Sequence, residues 1–104
     1  MMTIERQQAN QIVGNWLVDK RTERGLSRKA FATYCTELGV DGIGFESIRG
    51  WEQGRNMPTF GLVAALLRAL EPDVTIRRQI LAARLYITEP MFAELVNASP
   101  VDAS

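Results

Sequence analysis

Histidine is absent from this 104-residue chain and cysteine occurs once, as Cys35. Those two absences exclude disulfides and thiolate metal clusters and remove the commonest general base, so no cofactor or metal is expected. An enzymatic reading would have to rest on Cys35, which falls at an apolar helical position with no imidazole to activate it. Also missing is any run of about 20 apolar residues that could cross a bilayer. The N-terminus, with Glu5, Arg6, Gln7, Gln8 and Asn10, lacks the apolar centre of a secretory signal. A cytoplasmic, non-catalytic protein is therefore expected. The chain has no excess of charge either: Lys plus Arg and Asp plus Glu both number 12. Any attraction to nucleic acid must come from local placement and not from a bulk field.

What is present is the composition of an ordered globule, 46% hydrophobic and 23% charged. The length suits one domain with a modest core, near the size at which an oligomer would help. Apolar residues recur at helical intervals in six stretches, and no useful β-type alternation appears, so the fold class expected is all-α with five or six short helices. The first helix is read from Thr3 to Arg24, with Ile12, Val13, Trp16 and Leu17 inward and Gly25 as its stop. Ser27 caps a second carrying Ala30, Phe31, Tyr34, Cys35 and Leu38. Asp41, Gly42 and Gly44 supply turn chemistry before a third helix from Phe45 to Gln53. Thr59 caps a fourth with Leu62, Val63, Leu66, Leu67 and Leu70, ended by Glu71 and Pro72. A fifth runs from about Val74 to Tyr86, and a short sixth follows Thr88. Residues 1–72 are expected to form the main core, residues 73–97 to complete it with the C-terminal helices, and residues 98–104 to fray.

The third helix is the most informative segment. At 100° per residue, Ile48, Trp51 and Glu52 fall on one side and Glu46, Arg49, Gly50 and Gln53 on the other, with Gly54 ending the helix and Pro58 marking the approach to the next. It is built to be laid against something. The order helix, Gly25-Leu26-Ser27, helix, turn, helix ending Trp51-Glu52-Gln53-Gly54-Arg55, then Pro58, resembles the Cro/CI-type helix-turn-helix of the XRE family of transcriptional regulators. The resemblance spans roughly Ile12 to Leu70. It implies a lambda-repressor-like domain with a C-terminal helical extension, binding double-stranded DNA with the second helix across the backbone and the third in the major groove.

Residue roles follow from the resemblance and from chemistry. Ser27, Arg28 and Lys29 open the second helix, where free N–H groups, the helix dipole and two cations favour a phosphate. Arg49 points outward and can reach guanine O6 and N7 in a bidentate pair, or else a phosphate. Glu46 can accept from a cytosine amino group or repel the duplex unless paired with Arg49. Ser47 suits a phosphate, a base or simple packing. Phe45 is read as turning toward the core, with contact to a thymine methyl as the alternative. Arg55 and Asn56 follow in the loop that approaches the backbone in family members. Arg21 and Glu52 are expected to form a partly buried ion pair fixing one helix to another, a pairing the resemblance also implies. Trp16 and Trp51 read as core.

The chain departs from the family pattern in two ways. The distance from Ser27 to Ile48 is longer, so either the second helix is extended or the turn carries an insertion around Thr36 to Gly42. The amide side chains common on the third helix of the family are replaced here by Phe45, Glu46 and Gly50. Two-fold dimers read half-sites one turn apart, so a homodimer is expected, formed through Ile76, Ile80, Ile87, Met91, Phe92 and Val96 unless these only cover the core. A phage or mobile-element repressor, or an antitoxin-like regulator, would suit the length. A protein-interaction module on the same scaffold, meeting a partner such as a toxin or antirepressor, is the competing reading.

Overall fold

The computed structural model describes residues 3–97, so the tail expected at 98–104 lies outside the described residues. It is all-α, with helices α1 (Arg6–Glu23), α2 (Arg28–Glu37), α3 (Phe45–Glu52), α4 (Phe60–Leu70), α5 (Val74–Arg84) and α6 (Glu89–Asn97). Among the described residues the only extended pairing is a single bridge between Thr3 and Ile87. That bridge is why α1 starts later than its periodicity suggests: the Ile4 N–H bonds to the Tyr86 carbonyl at 2.9 Å, holding the N-terminal segment extended against the end of α5.

Caps sit where small polar residues allow them. Ser27 Oγ accepts from the Ala30 N–H at 3.1 Å and Thr59 Oγ1 from the Leu62 N–H at 3.3 Å. Asp73, which sequence reading passed over, caps α5 by accepting from the Thr75 and Ile76 N–H groups. Helix ends α1, α2, α3 and α5 share one pattern, in which the first residue past the cap bonds two residues into the last turn and the next bonds one residue deeper, as in Gly39 to Thr36 and Val40 to Cys35. The turning residue of α5 is Tyr86 at φ 61°. Because a left-handed residue leaves the helical path, α5 stops at Arg84 and not at Tyr86.

One core joins Val13, Trp16 and Leu17 of α1, Phe31 and Cys35 of α2, Ile48 and Trp51 of α3, Val63, Leu66, Leu67 and Leu70 of α4, and Ile80 and Ala83 of α5. The long α1 packs against α3 on one side and α5 on the other, α2 meets α3, and α6 leans on α5. Between Ser27 and Ile48 the chain forms α2, which ends at Glu37, and then a loop with Gly39 at φ 90° and Gly42 at φ 81° before α3. That loop is anchored because Val40 and Ile43 are buried in the core, each such side chain contributing about 1.5–3 kcal/mol. None of the helices is long and apolar enough to cross a membrane among the described residues.

The C-terminal surface differs from expectation. Ile80 is core, 4% exposed, and Ile76 packs against that core half-buried, because α5 turns both toward α1. Ile87, Met91 and Phe92 are also half-buried. Only Val96 of the six expected dimer residues stands well out, together with its neighbour Leu95, each 52% exposed.

Candidate nucleic-acid interface

Three points fix α3 on α1, and all lie on one stripe of α1, since residues 10, 14 and 21 recur at helical intervals. Asn10 is buried and donates through Nδ2 to the Gly54 carbonyl at 3.1 Å. Gly14 faces the backbone of Trp51 so closely that a Cβ there would lie 2.3 Å from the Trp51 oxygen. Arg21 forms two bonds to the Glu52 carboxylate, Nε to Oε2 at 2.6 Å and Nη2 to Oε1 at 2.9 Å, and a third through Nη1 to the Leu26 carbonyl at 3.0 Å. The Arg21–Glu52 pair thus stands as sequence reading expected. Asn10 and Gly14 were missed, although an amide and a glycine on the stripe of Val13, Leu17 and Arg21 are a readable signal of close helix approach.

Arg28 adds a contact that the expected arrangement did not include. Its Nε donates to Glu52 Oε1 at 2.8 Å, so Glu52, whose side chain is 2% exposed, serves two arginines. Arg28 is thereby a positioning residue joining α2 to α3, and Lys29 is the exposed cation at the start of α2. Burial alone would push the Glu52 carboxyl up, but hydrogen bonds and charge from Arg21 and Arg28 outweigh it and hold it below the usual carboxylate range. Arg21 is raised in turn, chiefly by its bond to Glu52.

Glu46, Ser47 and Arg49 lie exposed on the outer face of α3, and Ser27 and Lys29 at the start of α2 are exposed as well. Glu46 and Arg49 form no ion pair with one another among the described residues. Phe45, expected to turn inward, is 46% exposed, while Ile43 in the preceding loop is buried in the core. With Arg21, Ser27, Arg28 and Lys29 it lines an open cleft of about 460 Å³ between the starts of α2 and α3. Gly50 is a second correction: it is buried and not part of the outer face, since Asn56 and Arg55 fold back over it, Asn56 Oδ1 lying 3.2 Å from where a Cβ would be. Arg55 and Asn56 remain exposed at the rim of α3.

A second buried carboxylate, Glu71, was read only as a helix end. It accepts from the Trp16 indole at 2.8 Å, Lys20 Nζ at 2.9 Å and the Asp73 N–H at 3.2 Å. Burial would push its carboxyl up, and the Trp16, Lys20 and Asp73 contacts bring it below the ordinary value. Cys35 is fully buried, and burial pushes its thiol up to about 11, which leaves it protonated and unreactive at neutral pH. Among the described residues no cluster could hold a metal ion. No protein-family model, curated protein or solved structure matches the chain.

The two lowered carboxyls set the pH dependence of stability. A group depressed in the folded state stabilises it above the unfolded value and loses that contribution as pH falls through the folded one. Both Glu52 and Glu71 lie below the ordinary 4.5, and with no histidine in the chain the side-chain charge hardly changes between about pH 6 and 8. The urea midpoint of unfolding is therefore expected to be flat across that range and to fall steeply below about pH 4.5. A midpoint unchanged at pH 3 would contradict this assignment.

Proposed function

We propose that this chain is a sequence-specific double-stranded DNA-binding transcriptional regulator of the Cro/CI-type helix-turn-helix class, acting as a repressor and without catalytic activity. The observation that carries this reading is the exposed face made by the start of α2 (Ser27, Lys29) and the outer side of α3 (Glu46, Ser47, Arg49), with Arg55 and Asn56 at its rim. The inner side of α3 is held by Ile48, Trp51 and Glu52. A helix so held and so exposed suits insertion into a major groove, with the α2 N-terminus and Lys29 against a phosphate. Arg49 is the residue suited to reading a base edge. Such a protein would work in the cytoplasm on the nucleoid.

Selection of bound sites from random duplexes tests the reading directly. On the selected site, Arg49→Ala should cost about 1–3 kcal/mol and relax preference at one base pair, while Lys29→Ala should weaken all sequences alike and lower the salt slope by about 1. Affinity that does not fall log-linearly with salt would sink the DNA reading. A homodimer is part of the proposal, with Leu95 and Val96 of α6 as its exposed apolar residues; the mass in solution tests it. One observation favours the competing reading: Phe45, exposed beside Glu46, suits a protein surface such as that of a toxin or antirepressor, whose binding would be far less salt-dependent.

A further inference from the structure

Opposite the face that holds α3, α1 borders a furrow that the reading above leaves unused. Two hollows, about 280 and 390 Å³, lie along the seam of α1 and α5 and share Ile12 and Gln79 as walls. Their floor is aliphatic: Ile4, Ile12, Ile76 and Ile87 are half-buried and reach solvent there. On α1 the furrow takes residues 12, 15, 16, 19, 20 and 23, whose mean direction at 100° per residue lies about 170° from the 10, 14 and 21 stripe that faces α3.

The charge of the furrow is one-sided. Its walls carry four carboxylates, Asp19, Glu23, Glu71 and Glu89, against the single ammonium of Lys20, in a chain whose net charge is zero. Lys20 is moreover held by Glu71 at 2.9 Å and Glu23 at 3.6 Å, and Glu23 also meets Arg24 at 3.6 Å, which leaves Asp19 and Glu89 without an ion pair among the described residues. Along α1 the stretch from Ile12 to Glu23 measures about 16 Å, roughly three helical turns. Two open hollows end to end would not enclose most of a small molecule's surface, as a ligand pocket does. They match the apolar stripe of a helix laid lengthwise.

We infer that the α1–α5 furrow is a docking surface for a partner protein's amphipathic helix, about three turns long, with an aliphatic stripe flanked by Lys or Arg. Occupancy leaves the α2–α3 face free, because the two lie on opposite sides of α1. The inference does not depend on DNA binding.

A phage-displayed library of random 14-residue peptides panned on the full-length chain tests it. The expected winners carry aliphatic residues at i, i+3 or i+4 and i+7 with basic residues beside them, and a synthetic copy should shift the amide signals of Ile12, Ile76, Gln79 and Ala83. The double variant Asp19→Lys, Glu89→Lys alters only rim charges; its melting curve verifies folding, and it should bind the same peptide about tenfold more weakly. Arg49→Ala should bind it unchanged. No enriched peptide, an acidic consensus, shifts centred on α2 and α3, or a rim variant within twofold of wild type would each overturn the inference.

Discussion

Glu52→Ala is expected to cost about 3 kcal/mol of folding stability, a large fraction of the roughly 5–15 kcal/mol that holds a domain of this kind folded. The change strips the shared acceptor from Arg21 and Arg28, whose Nε atoms approach it at 2.6 and 2.8 Å. Arg28 can turn to solvent, being partly exposed already. Arg21 is more confined, tied to the Leu26 carbonyl at 3.0 Å, and is left as a charge with most of its hydration gone. Thermal unfolding should move down by roughly 12–20 °C. Replacing the pair together, Arg21→Met with Glu52→Leu, should cost less than the single change, since the confined Arg21 charge is gone and Arg28, already 36% exposed, can turn to solvent. If the double variant melts below the single one, the ion pair itself and not the orphaned arginine is what stabilises α1 against α3. The same single change loosens the C-terminal end of α3 from both α1 and α2, so under the proposed function DNA affinity should fall along with stability.

Gly14→Ala is expected to destabilise by about 1–2 kcal/mol net, against the direction that helix propensity alone would give. In mid-helix, alanine is better than glycine by about 1 kcal/mol. Here the added methyl would lie 2.3 Å from the Trp51 carbonyl oxygen and 3.3 Å from its carbon, and both are backbone, so no side chain can swing aside. α1 and α3 would have to separate, which would stretch the Asn10–Gly54 bond and the Arg21–Glu52 pair on either side. Overpacking of this kind costs about 1–3 kcal/mol, occasionally more, and it outweighs the propensity gain. Chemical denaturation of the two proteins decides it; a variant as stable as wild type would mean the helices are not held at this spacing.

Much of the architecture could be read before any coordinates. The helical intervals of Val13, Trp16 and Leu17, of Val63, Leu66, Leu67 and Leu70, and of Ile48 and Trp51 place these side chains in the core, with Ile12 and Leu62 half-buried against it, because burying an apolar stripe is what makes a short helix stable. Ser27 and Thr59 begin their helices as small polar residues do. Arg21 and Glu52 were readable as a pair since both are charged residues on apolar faces. The misreadings share one cause. Phe45 was assigned inward by its spacing to Ile48, but it stands 46% exposed while Ile43, in a loop without periodicity, is buried. Gly50 was assigned outward by the same wheel, which carries no information about Arg55 and Asn56 returning over it. Arg28 was treated as a free cation, although the carboxylate it meets is 24 residues away.

Local chemistry alone thus determined the helices, their caps and most of the core, since each depends on residues within a turn or two of one another. It also determined what this chain must do without, as the absence of histidine and the single cysteine remain facts in any fold. Only the tertiary structure decided which polar groups share a partner: two arginines on Glu52, and Trp16, Lys20 and the Asp73 N–H on Glu71. Only it revealed that α1 carries α3 on one side and an acidic, aliphatic furrow on the other. The reason is that side-chain partners and surface hollows depend on distances between segments far apart in the chain, which helix packing sets and periodicity does not encode.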